Sequence, residues 1–227
     1  MEQQQLIKTA RFTGASYLVL AISGILGFMV FHPKVFVAAD PQQTLHNLTT
    51  LGSVAKTRLI FELLIIVSQA LAAIGFYRLF AEICRSAATA ILCWGTVNAV
   101  LISVSAIAMN TAIDYAVVAT PTEAEKLDSI QVLTLIITNA WAIGGLFFGL
   151  WLLPMGWVVV KSKRMPLWLG RILIIGGVGY ILQTFLNAAG LTGMYIGLLT
   201  LPATIGELWM IGYLLSFGIR PVTAKRE

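Results

Sequence analysis

The sequence predicts an all-α fold, a polytopic transmembrane helical bundle of six spans with both termini on the cytoplasmic side. Three observations carry this reading. Of 227 residues, 58% are hydrophobic and 11% charged, and the mean hydropathy is +0.87; a soluble domain averages about 25% charged residues. A soluble fold of this size still exposes roughly a quarter of its unfolded surface, which leaves nowhere to hide such a surplus. Six stretches reach the length of about 20 mostly apolar residues that a spanning helix needs: 12–31, 59–80, 87–113, 130–153, 167–186 and 201–217. Basic residues then fall in alternate loops, which orients the bundle. The chain reads as a single membrane domain over 1–227, and its composition excludes collagen-like, disulfide-scaffold and disordered classes.

The elements follow in order. Lys8 and Arg11 precede the first span. Val37-Ala38-Ala39 resembles a cleavage site, but the apolar run exceeds the roughly 7–15 residues of a signal core, so a retained span is expected. In the outer loop, Asp40 suits an N-cap and Pro41 a first helical turn. Leu45, Leu48 and Leu51 make an apolar stripe ending at Gly52, which predicts a short helix on the outer surface. Asn47-Leu48-Thr49 matches a glycosylation sequon, a pattern common by chance. The second span carries Arg58, Glu62 and Gln69; steps of four and seven residues keep all three on one face.

The third span ends outside with Ser103, Asn110 and Asp114 on one face. The acidic stretch 119–128 is expected to be a solvated loop. Asn139 lies in the outer half of the fourth span, and Gly145-x-x-x-Gly149 predicts close helix packing. Pro154, near the end of that span, is expected to kink it. A basic turn follows, Lys161-Ser162-Lys163-Arg164-Met165-Pro166, flanked by Trp151, Trp157 and Trp168 as an interfacial aromatic belt. The fifth span has the packing run Gly176-Gly177-x-Gly179 and ends with Tyr180, Gln183, Thr184 and Asn187. The apolar segment 188–199 is expected to dip rather than span. If the sixth span begins near Pro202, Glu207 lies about one and a half turns in.

Eleven of the fifteen basic residues fall on one side of this arrangement: Lys8, Arg11, Arg78, Arg85, Lys161, Lys163, Arg164, Arg171, Arg220, Lys225 and Arg226. Lys34, Lys56, Arg58 and Lys126 fall on the other, so the first side is assigned to the cytoplasm. The net charge of +5 is thereby an orientation signal. No aromatic platform interleaves with basic residues, and nucleic acid is not an expected partner. Cys84 and Cys93 form neither a CxxC pair nor a zinc spacing. His32 and His46 could meet Glu62 or Asp114, but nothing in their spacing requires a metal. No metal, cofactor or catalytic residue is assigned, and no HExxH, GxSxG, phosphate-loop or dinucleotide fingerprint is present.

Among ten acidic residues, only Glu62 and Glu207 enter apolar spans. Each costs about 2.5–3.5 kcal/mol at mid-membrane, so such groups turn inward and pair. Polar side chains of five spans gather at the outer half, and the candidate ligand-binding set is Arg58, Glu62, Gln69, Asn110, Asp114, Asn139, Gln183, Asn187 and Glu207. Two readings stay open: an outward-facing polar pocket, or structural interhelical bonds worth about 0.6 kcal/mol each.

The run Phe147-Phe148-Gly149-Leu150-Trp151-Leu152-Leu153-Pro154-Met155-Gly156-Trp157 continues through Lys161-Ser162 to Pro166-Leu167-Trp168-Leu169-Gly170. Together with Lys8-Thr9-Ala10-Arg11, with Arg58 and Glu62, and with Gly206-Glu207-Leu208 before Leu214 and Gly218, it resembles the bacterial domain-of-unknown-function 4386 family of six-span membrane proteins. The resemblance implies a six-helix fold in the bacterial inner membrane and implies no activity. Three functional expectations remain. The first is binding or transport of a small polar or cationic solute through the outward pocket. The second is a helper or sensor subunit that binds a membrane protein partner. The third is an intramembrane enzyme acting on a lipid-like substrate. The lipid bilayer is a partner in all three.

Overall fold

The computed structural model describes residues 3–37 and 39–220. Lys225 and Arg226 of the charge count, and Ala38 of the cleavage-like triplet, lie outside the described residues. Six helical stretches are long and apolar enough to cross a membrane: Gln3–Val35 (α1), Gly52–Phe80 (α3), Arg85–Val117 (α4), Glu123–Ser162 (α5), Leu167–Ala188 (α6) and Met194–Ser216 (α7). The short helix α2 is Pro41–Thr50. No strand occurs among the described residues.

Several helices outrun the predicted spans, because an apolar count marks only the part that matches hydrocarbon, whereas a helix ends where its last backbone groups are capped. α3 starts at Gly52 and takes in Lys56 and Arg58. α5 starts at Glu123, so the expected loop 119–128 shrinks to 118–122. A capping box sets that start: the Thr122 backbone N–H donates to Glu125 Oε2 at 2.8 Å, and the Glu125 N–H reaches back to Thr122 Oγ1 at 3.4 Å. α6 stops at Ala188, where the N–H groups of Gly190 and Leu191 bond to the carbonyls of Asn187 and Leu186. Gly190 takes the positive φ, 80°, that this C-terminal motif demands. The segment expected only to dip forms a short α-helical turn, Met194–Gly197, and a 3₁₀ turn, Leu198–Thr200. These lead into the last α-helix at Leu201 with Pro202 in its first turn, so Glu207 lies about one and a half turns into that helix, as expected.

The chain forms two compact units. The larger comprises Met1–Leu18, Ser68–Asn98 and Gly145–Glu227. Its helices approach through glycine. A Cβ on Gly149 would meet the Gly177 carbonyl, one on Gly156 the Gly170 carbonyl, and one on Gly176 the backbone of Ala203. Small residues let membrane helices come this close, as Gly145-x-x-x-Gly149 and Gly176-Gly177 predict. The middle of this unit is aromatic: Tyr17, Phe76 and Trp151 stand nearly perpendicular to one another, centroids 5.5–5.6 Å apart, the favoured edge-to-face geometry. Trp151 is thus fully buried and is no part of an interfacial belt. The helix continues through Pro154 to Ser162 and leaves Trp151 about three turns from its end. Trp157 and Trp168 are exposed and carry Lys161 and Arg171 over their rings, at 4.5 and 4.8 Å.

The smaller unit comprises Val19–Val67 and Ala99–Gly144. α2 forms as expected. Asp40 accepts from the Gln43 N–H at 2.8 Å, and Leu45 and Leu48 pack on Val35, Phe36, Ala55, Met109 and Ile130. Leu51 leaves the expected stripe, because it is the C-cap and turns outward. Asn47 of the sequon is buried, its amide donating to the Val35 carbonyl at 3.3 Å.

Candidate functional site

Arg58 and Glu62 lie on consecutive turns of α3, and their side chains form an ion pair with Nη1 2.7 Å from Oε2. Both are fully buried. The other carboxylate oxygen, Oε1, accepts the indole N–H of Trp141 at 2.9 Å. The Arg58 guanidinium fits because Gly27 faces it without a side chain; a Cβ there would stand 3.2 Å from Nη1. Gly27 lies in a π-helical stretch of α1, Ile25–Phe31, and π turns recur at functional sites. The Phe28 ring lies 5.9 Å from Arg58 Cζ. Phe28 is stacked on His32 (5.0 Å) and tilted against Trp141 (5.0 Å), and His32 is stacked on Phe36 (5.1 Å). All these residues belong to the smaller unit.

The pair is electrically neutral and only partly satisfied. A guanidinium carries five donors. Nε and Nη2 of Arg58 and Nδ1 of His32 are buried without a hydrogen-bond partner among the described residues. Buried polar groups almost always find partners, so this concentration of open polar atoms, two of them guanidinium donors, within one aromatic wall marks the centre as a binding candidate. Both oxygens of Glu62 are engaged.

The other predicted residues are distributed as follows. Gln69 is fully buried on α3, its amide without a partner among the described residues. Asn110 donates to Asp114 Oδ2 at 3.0 Å, and both are exposed. Asn139 and Asn187 are exposed, and Gln183 is half-buried. Glu207, also half-buried, belongs to the larger unit and accepts the Tyr17 hydroxyl at 2.5 Å. Reasoning along the sequence found the i,i+4 pair and missed Trp141, Phe28 and Tyr17. A signal existed for Trp141 and Tyr17, since a Trp N–H or Tyr O–H inside an apolar run usually finds an acceptor; Phe28 carries no such signal.

The sequence model of the family described as "Domain of unknown function (DUF4386)" matches residues 12–218, most of the chain. A protein of Archaeoglobus fulgidus described as an uncharacterized protein is 41% identical over 56 residues. That match covers 23% of this chain and 35% of the relative's length. No solved structure matches.

Proposed function

The chain belongs to the DUF4386 family, and we propose that it is a multi-pass membrane protein that binds a small polar solute at Arg58, Glu62 and Trp141. The observation that carries this reading is the pair of open donors, Nε and Nη2, on a fully buried guanidinium. They suit an acceptor-bearing group such as a carboxylate or phosphate, which a planar guanidinium recognises through paired bonds. The faces of Phe28 and His32 supply apolar contact beside it. Glu62, anchored by Trp141, orients Arg58 and cancels its charge while the site is empty. A cation is less favoured, since neither Glu62 oxygen is spare. Asn110, Asp114 and Asn139 give the same unit a polar exterior.

In this reading the protein sits in the bacterial inner membrane with its termini inside, as the distribution of eleven against four basic residues supports, and the Arg58 end of α3 faces outward. The test is thermal unfolding of the purified chain with acetate, phosphate, glycine or choline. Acetate, phosphate or glycine should stabilise the wild type and not Arg58→Lys, which keeps the charge opposite Glu62 but loses the planar fork. A response to choline alone, or equal responses in both proteins, would overturn the proposal.

A further inference from the structure

We propose that a groove of the larger unit is a binding site for an anionic phospholipid, with an acyl chain lying in the groove and the phosphate held by Arg85, Lys161 and Arg171. The groove has a volume of about 510 Å³ and is lined by Ser86, Ala87, Leu153, Pro154, Trp157 and Ile174. Its size falls in the roughly 300–1,000 Å³ range of small-molecule sites. Apart from the Ser86 hydroxyl and the Trp157 indole N–H, the lining side chains are hydrocarbon, which suits a lipid tail and not a solute.

Three cations lie beside the groove. Lys161 is one turn beyond Trp157 on α5, Arg171 is one turn before Ile174 on α6, and Arg85 directly precedes Ser86 at the start of α4. Arg85, Lys161 and Arg171 are all exposed, and each lies within about one helical turn of a residue that lines the groove. The Lys161 charge reaches the α4 side: with the Ser86 hydroxyl as the larger cause, it helps hold the Cys84 thiol below its ordinary pKa. The acidic residue of the connection between α3 and α4, Glu82, acts on Arg164. Lys161 and Arg171 are also seated on the exposed rings of Trp157 and Trp168, and exposed Trp beside Lys or Arg is the pattern of headgroup depth. Basic pockets between membrane helices bind anionic headgroups.

Alternation of basic loops explains why cations lie on this side of the protein. It does not explain an apolar groove whose lining residues lie within one turn of three of them. The occupant that satisfies both is an amphiphile with an anionic head.

The experiment uses the full chain in mild detergent, with phosphatidylglycerol or phosphatidylcholine of the same acyl chains added at equal concentration. Thermal unfolding and native mass spectrometry are read together. Phosphatidylglycerol should raise Tm more than phosphatidylcholine and remain bound as a discrete adduct. The triple variant Arg85→Gln, Lys161→Gln, Arg171→Gln should lose at least half of that difference, and Lys163→Gln, in the same basic turn, should keep it. Ala87→Leu, which fills the groove without touching charge, should reduce the adduct and serves if the triple variant does not fold. Equal shifts from the two lipids would overturn the site. So would a loss in Lys163→Gln matching the triple variant's, an unaltered adduct in Ala87→Leu, or inorganic phosphate reproducing the shift without lipid.

Discussion

Replacing Glu62 by Gln should be among the most damaging single substitutions in the protein. The side chain keeps its shape and can still accept from Trp141, so the change is one of charge. In the wild type, Arg58 and Glu62 are each fully buried with 2.7 Å between Nη1 and Oε2. Removing one member of such a pair leaves an uncompensated buried cation and costs about 3–5 kcal/mol. Weakening the charge-assisted bond from Trp141 at 2.9 Å acts in the same direction; bonds to charged groups are worth about 1.5–3 kcal/mol net. The double variant Arg58→Met, Glu62→Leu removes both charges and should recover most of the loss, because replacing a whole buried pair by apolar residues is often neutral. The assay is equilibrium unfolding by SDS titration in mixed micelles, run as a double-mutant cycle. A coupling energy of at least about 2 kcal/mol is expected, within the range for residues in one network. A Glu62→Gln variant within about 0.5 kcal/mol of wild type, or a double variant no better than the single, would show that the pair is neither dry nor ionised.

Glu207→Gln should be much milder, within about 1 kcal/mol, because the amide oxygen still accepts from Tyr17 and no cation is stranded, whereas Tyr17→Phe leaves the carboxyl short of a donor and should cost about 1–3 kcal/mol; the same unfolding assay ranks them. Gly149→Ala should destabilise by about 1–3 kcal/mol through overpacking, since the new Cβ would lie 2.6 Å from the Gly177 carbonyl oxygen. Gly24→Ala should be neutral or stabilising by up to about 1 kcal/mol, since nothing lies within 4 Å of that Cβ. Cys84 lies 3.3 Å from the Ser86 hydroxyl, which with the Ala87 backbone N–H lowers the thiol pKa and enlarges the thiolate fraction at neutral pH. Ser86→Ala should therefore slow alkylation of Cys84 at pH 7 and leave it unchanged at pH 10, where both thiols are ionised. In the proposed orientation, a membrane-impermeant maleimide should label Cys84 in inverted vesicles and not in intact cells.

What could be read from the chain, and what could not, divides along local and tertiary physics. Apolar length located six spans because a bilayer imposes one thickness on every helix. Asp40-Pro41 located α2 because an N-cap and a fixed φ act within one turn. Thr122 and Glu125 were equally local and equally legible, yet the acidic composition of 119–128 suggested a loop and hid the capping box. Trp151 is a different failure. Its place beside a basic turn suggested the interface, but α5 continues through Pro154, which membrane helices tolerate where neighbouring groups satisfy the freed carbonyl. Depth therefore had to be counted from the true helix end, and the composition of Leu152-Leu153-Pro154 does not mark it.

The two intramembrane carboxyl groups show how far residue type alone can carry a functional argument. As residue types Glu62 and Glu207 are alike, each an acid in an apolar run, and in the sequence only Arg58, one turn before Glu62, tells them apart. Their partners make them chemically different. Glu62 meets a guanidinium and an indole N–H, so its charge is cancelled and both oxygens are occupied; what is left open at that centre belongs to Arg58. Glu207 meets the hydroxyl of Tyr17, a neutral donor locked in place by Phe76 and Trp151. A ligand drawn to the first centre must therefore bring an acceptor, and nothing at the second asks for the same group. Spacing along α3 could pair Arg58 with Glu62, because four residues make one turn. Trp141 and Tyr17 lie 79 and 190 residues from the acids that they serve, and only packing decides that they meet.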